Sequence, residues 1–371
     1  MKIQHTRTRI LRHATAALLG ACSLVSLTLT LPLALHAATP APASANTNAY
    51  SIVARFAVPT QSTSYDYLRA DPAARRLYVT LGKTVAVLDL DTGKPLGEIT
   101  GLMRAHGVAI SPDTGHGFAT SGIDDQITMF DTKTLATIKL IKSTGSNPDA
   151  IEYDPGTKRI YAANHGSGAI TVIDPATGDI AGAIDFGEDN RLEGIAFDGR
   201  GRGFVNVENK NAVLVFDLAT LKPLAKWPAA PNEGGTGLAC DPATRRLFTA
   251  TNGSNKMTVL DSDTGKVITS VPTGEDADGL AFDPATKRIY VPCVDGTLTI
   301  IQQQTPDTYT VLQTLPTQRG CRTITLDAQT NRVLTCSPKY GPAPAPVKGA
   351  PKSSRPVPLP GTFEVLVIGT K

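Results

Sequence analysis

From residue 50 onward the apolar residues fall in short runs, rich in Ile, Val, Tyr, Phe and Thr and bounded by Gly, Pro, Asp and Asn. Such runs read as β-strands, and no stretch of helical period interrupts them. One unit supplies four strands at 150–153, 159–162, 170–173 and 179–184. A second supplies 279–282, a turn at 283–287, then 288–291 and 298–301. The Asp-Pro-x-Thr turns have a mechanism: Pro presets φ at the turn's second position, and Asp bonds the backbone ahead of it. The same phrase returns around Asp71, Ser111, Asp154, Asp198, Asp241, Asp283 and Asp327, at successive spacings of 40, 43, 44, 43, 42 and 44 residues. A period of about 40–45 with four short strands per unit predicts a β-propeller, and the count predicts seven blades.

The last unit offers strands at 323–326, 332–335 and 363–368 but no fourth. Ahead of the first unit, 50–58 has the character of an outer strand such as 267–271. Pairing it beside 363–368 completes blade seven and removes two open edges. The expected fold is therefore all-β, a seven-bladed propeller of four-stranded blades over residues 50–371, closed by the N-terminal strand.

The phrases RLYVT at 76–80, RIYAAN at 159–164 with ITVID at 170–174, and RIYV at 288–291 resemble the YVTN-repeat β-propeller family. The resemblance spans about residues 50–371 and implies an extracytoplasmic binding protein. Only Asn164 stands where the motif's Asn belongs, and there it is expected to shape a turn. The matching positions hold Leu81, Ser121, Val207, Thr251, Cys293 and Ser337.

Residues 1–38 read as a signal peptide, with basic Lys2, Arg7, Arg9 and Arg12, an apolar run, then small Ala37 and Ala38. Residues 39–49 form a Pro/Ala/Ser lead-in. The expected location is periplasmic or secreted, with membrane attachment only through an uncleaved leader. The leader holds four of the 36 Lys and Arg and none of the 33 Asp and Glu, leaving 32 bases against 33 acids. That balance lacks the basic footprint of a nucleic-acid binder. Four cysteines follow the leader, without haem or zinc spacing. Cys240 takes a place that other units give to Phe or Tyr, as a small core residue. Cys321 precedes the first strand of blade seven and Cys336 ends its second. A turn near Gln329 sets them side by side, within reach of a disulfide. Cys293 is the rival partner.

Counting five residues back from each turn anchor gives a ring at one mouth of the channel: Asp66, His106, Asp149, Glu193, Thr236, Asp278 and Arg322. Four converging carboxylates suit a divalent cation such as Ca2+, or a cationic or hydroxyl-rich ligand; no other cofactor is expected. The same groups also serve as strand caps. His106 and His165 should lie at this mouth, where Glu193 or Asp149 would complete an acid–base pair. His116 should be solvated at the opposite end. Between Ser337 and Thr362 runs a Pro-rich insertion carrying Lys339, Lys348, Lys352 and Arg355 and no acid. Its extended backbone could present these bases to a polyanion or partner protein. Three readings follow. The leading one is a monomeric binding module that meets a small molecule or protein at the mouth. The second is a metal-assisted lyase or hydrolase using His106, His165 and Glu193. In the third, the arm binds a polyanion or single-stranded nucleic acid.

Overall fold

The computed structural model describes residues 49–343 and 356–370. The signal peptide, the lead-in up to residue 48, and Lys348, Lys352 and Arg355 of the insertion lie outside them. Strands of these residues assemble into seven four-stranded antiparallel sheets. Six are sequential meanders over residues 68–99, 105–142, 148–185, 192–228, 235–272 and 281–316. Blade seven runs from inner to outer strand as Ile324–Asp327, Arg332–Ser337, Glu364–Thr370 and Tyr50–Ala57.

The repeat's turn chemistry forms these sheets locally. Asp154 Oδ2 accepts from the Thr157 amide at 2.8 Å and its hydroxyl at 2.7 Å. Asp241, Asp283 and Asp327 accept the hydroxyls of Thr244, Thr286 and Thr330 at 2.6, 2.6 and 2.7 Å. The next residue of each turn (Lys158, Arg245, Lys287, Asn331) sits in the left-handed region and turns the chain back. Asn164 shapes a turn as expected, its carbonyl accepting from the Ser167 and Gly168 amides. Its buried side chain also takes the Ser143 hydroxyl at 2.5 Å and donates to Thr171 at 3.1 Å.

Neighbouring blades interlock where the third-to-fourth-strand turn of one meets the outer strand of the blade before it. Two complementary solutions occur. A Cβ placed on Gly93 or Gly265 would lie 2.2 Å from the Phe56 or Trp227 ring. Elsewhere the turn carries the bulk, as Leu135 packs into Gly97 and Leu221 into Gly182. Closure is clamped too: Gln313 brackets the backbone of Tyr50 with two bonds of 2.9 Å, and the Tyr50 and Tyr290 hydroxyls meet at 2.7 Å.

Blade six has its expected fourth strand at Thr308–Pro316, whose Thr- and Gln-rich text does not mark its position. Other expectations need correction. His116 is half-buried and its Nδ1 meets the Pro175 carbonyl at 2.8 Å. The bond between Cys321 and Cys336 is not formed, and all four described cysteines are free. Pairing of Ile324 with Thr335 brings Cys336 opposite Thr323, while the Cys321 amide turns back to the Gln318 carbonyl. Cys240 is half-buried against its blade's core, as a small residue should be.

Candidate functional site

The innermost strands start at the channel mouth, and hydrogen bonds from blade to blade hold their first residues in register. Thr323 Oγ1 donates to the Asp66 carbonyl at 2.8 Å, Thr120 Oγ1 to the Asp149 carbonyl at 2.7 Å, and Thr236 Oγ1 to the Ala277 carbonyl at 2.7 Å. The Tyr67 amide reaches the His106 carbonyl at 3.1 Å and the Asp278 amide the Arg322 carbonyl at 3.2 Å. One position further along, the strands crowd together. A Cβ on Gly194 would stand 2.5 Å from the Thr236 carbonyl oxygen, and one on Gly237 2.4 Å from the Gly279 carbonyl carbon. Gly107, Gly194, Gly237 and Gly279 therefore stay small and wall a central cavity of about 240 Å3. Blade one is the exception. Tyr67 fills that place and donates its hydroxyl to Glu193 Oε2, three blades away, at 3.2 Å.

The ring converges on itself. His106 Nδ1 lies 2.5 Å from Asp66 Oδ2 and 3.5 Å from Asp149 Oδ1. His165 Nδ1 lies 2.8 Å from Glu193 Oε1, out of line for a hydrogen bond, and its Nε2 is 3.9 Å from Glu208 Oε2. Arg322 closes the far side, with Nε 2.9 Å from Asp278 Oδ2 and Nη2 3.9 Å from Asp66 Oδ1. Its guanidinium also stacks 5.2 Å from the Tyr65 ring. Asp149 Oδ1 is buried without any hydrogen-bond donor.

Charge in this space is poorly balanced. Asp66 and Asp278 lie nearest one permanent cation, Arg322, with Arg104 beside Asp66 in the same hollow, while Asp149, Glu193 and Glu208 have no arginine of their own. Burial, then the Glu193 charge, pushes the Asp149 carboxyl well above its usual range, against the pull of His106. Burial, then Asp278 and Asp66, does the same to Glu193. Asp278 is pushed up to about 6, burial outweighing its Arg322 partner. For His106, burial favours the neutral ring, but the bond to Asp66 and the Asp149 charge prevail and raise its pKa. These are the perturbations that cluster at functional sites.

Of the residues singled out from the sequence, Asp66, His106, Asp149, His165, Glu193, Asp278 and Arg322 come together. Thr236 instead spends its hydroxyl on backbone. Lys339 stands apart at the base of the insertion, where its amide bonds Thr362 and its carbonyl accepts from Leu359. Its neighbour Tyr340 does reach the mouth, with its hydroxyl 3.1 Å from that of Tyr65. Tyr65, Tyr340, Arg104, Arg322 and Asp66 line a second polar hollow of about 230 Å3. Tyr67 and Glu208 are the site residues that sequence reasoning missed. Tyr67 was visible as the one bulky residue at a position otherwise held by Gly, Ala or Thr. Glu208 lies in the polar stretch 206–211, which adds groups to the mouth side, but it has no repeat counterpart, since it belongs to a short 3-10 turn that among the described residues occurs only in blade four.

The fold and site thus define a seven-bladed propeller with a buried acid–histidine cluster at one mouth. Solved structures share that fold. A chain of the mitotic checkpoint complex superposes with a TM-score of 0.70 at 14% identity, covering 92% of this chain and 98% of that one. The hydrazine synthase of Kuenenia stuttgartiensis gives 0.64 at 20% identity, covering 75% and 94%. At these identities the likeness establishes the fold alone. No protein-family profile matches the chain, and no curated protein sequence does.

Proposed function

We propose that this chain is an exported binding protein of the YVTN-repeat type, whose ligand meets the channel mouth at Asp66, His106, Asp149, Glu193, Asp278 and Arg322. The observation that carries this reading is the uncompensated cluster: four carboxylates around one arginine, with Asp149 Oδ1 buried and undonated. Groups retained only for stability would be paired, because an unpartnered buried polar atom costs about 1–3 kcal/mol. A site that bears such a cost is ready to exchange it for contacts with a ligand. The ligand it suits is cationic or rich in donors.

A second reading is favoured by the two histidine–carboxylate contacts, His106 with Asp66 and His165 with Glu193. Either pair places an acid and a base at the end of a channel, as lyase or hydrolase chemistry requires. Binding is the simpler proposal because it needs no further group.

The two roles for the carboxylates, ligand binding and structural support, respond oppositely to neutralisation. Asp149→Asn and Glu193→Gln should each raise Tm at pH 8, by about 1–4 °C if about 1 kcal/mol is recovered. Scanning calorimetry on the chelator-stripped protein decides it. A fall in Tm of that size for both variants would show that the carboxylates brace the channel, and the binding reading would fail.

A further inference from the structure

Resting on the mouth as the binding surface, we infer that its ligand includes divalent transition-metal ions: one held by Asp66, His106 and Asp149, a second by Asp149, His165 and Glu193, with the Asp149 carboxylate bridging them. Within each trio, one donor atom from every residue lies within 4.8 Å of the others. The two trios come from four different blades yet share one residue. Independent of that clustering is the state of Asp149. Its side chain is only 9% exposed, and Oδ1, the oxygen facing His106, has no donor. That oxygen stands 3.5 Å from His106 Nδ1 without a hydrogen bond to it, leaving a buried carboxylate position open to a cation.

Distances agree with this. An ion bound at about 2.0–2.2 Å sets two of its ligands about 3.3 Å apart. His106 Nδ1 and Asp149 Oδ1 already stand 3.5 Å apart. His106 and Asp66, at 2.5 Å, are at the separation of two groups sharing a proton. Loading the site replaces that proton, and the pair opens by under ~1 Å. The His165 and Glu193 contact, at 2.8 Å but misaligned for a hydrogen bond, needs less movement.

Charge argues the same way. The four ring acids and Glu208 gather around Arg322, with Arg104 beside Asp66, and two dications would offset the excess of acid. The donor set selects the metal. Ca2+ asks for about six to eight oxygens. A mixed imidazole and carboxylate set suits Zn2+ and its neighbours in the first transition row. Carboxylate bridging of two ions is common in two-metal sites, where the ions sit about 3.5–4 Å apart. Tyr67, donating to Glu193 Oε2, leaves Oε1 for the ion and orients the carboxylate.

The test is calorimetric titration of the chelator-stripped full chain with ZnCl2, and separately with CaCl2. Two equivalents of Zn2+ per chain are expected, bound at least about tenfold more tightly than Ca2+. His106→Gln should remove one equivalent and His165→Gln the other. Asp149→Asn should weaken both by at least about tenfold. Circular dichroism and Tm of each variant separate loss of metal from loss of fold. Fewer than two equivalents, Ca2+ preferred to Zn2+, or unchanged binding in folded Asp149→Asn would overturn the inference. If Zn2+ does not bind while Asp149→Asn still raises Tm, the metal proposal falls and the binding site stands.

Discussion

At the scale of single residues, the mouth is a place where burial and charge disagree. Asp278 shows it most simply. Its carboxyl titrates near 6 in the folded chain, because burial outweighs the Arg322 contact, against about 3.9 when unfolded. A folded-state pKa raised above the unfolded one means the native chain holds the proton more tightly. The group's contribution is therefore fully present below about 3.9, is lost as pH rises through about 6, and is constant above that. Urea unfolding of wild type and Asp278→Asn at pH 4 and pH 7 checks it. The gap should move in the variant's favour as pH rises; movement the other way would show that Arg322, not burial, sets this carboxyl. The ring itself was legible because each member stands five residues before a turn anchor, so repeat position alone places it. Its electrostatics were not, since they depend on how far the inner strands approach across the channel. Tyr67 is the example: its hydroxyl reaches Glu193 three blades away, beside a cavity walled by Gly194 and Gly237.

At the scale of elements, the blade interfaces carry a rule that no single repeat displays. At four interfaces bulk sits on either the outer strand or the turn of the next blade: Phe56 with Gly93 and Trp227 with Gly265, but Leu135 with Gly97 and Leu221 with Gly182. Gly265→Leu should therefore cost about 2–4 kcal/mol, because it forces a side chain into the Trp227 ring at a φ of 73°. Trp227→Gly in the same chain should restore part of that loss, as Leu221 opposite Gly182 already illustrates. A double-mutant cycle by urea unfolding reads the coupling; additive costs would mean the two positions do not interlock. Strand order and turn positions were readable, since Asp–Thr turns recur at fixed offsets. The strand Thr308–Pro316 was not, because its burial is shallow and its Thr and Gln do not form an apolar run. Nor was the fate of Cys321, which the Gln318 carbonyl draws into a turn just outside the sheet.

At the scale of the molecule, closure of blade seven by Tyr50–Ala57 is what makes the mouth one site. Asp66 enters blade one directly after that strand, and Arg322 enters blade seven. Their approach across the seam, at 3.9 Å, exists only because the two ends of the chain share a sheet. Six spacings of similar length made this architecture legible, whereas a site spread over all blades has no local signature to find. The account stands on the claim that the acids and histidines of the mouth form one cation-binding centre. A crystal structure of the protein equilibrated with ZnCl2, with anomalous data recorded at the zinc edge, tests that claim most directly. Two anomalous peaks flanking the Asp149 carboxylate are predicted, one against Asp66 and His106 and one against His165 and Glu193. Zinc peaks confined to outer-surface acids, or Asp66, Asp149 and Glu193 facing outward between blades, would contradict it.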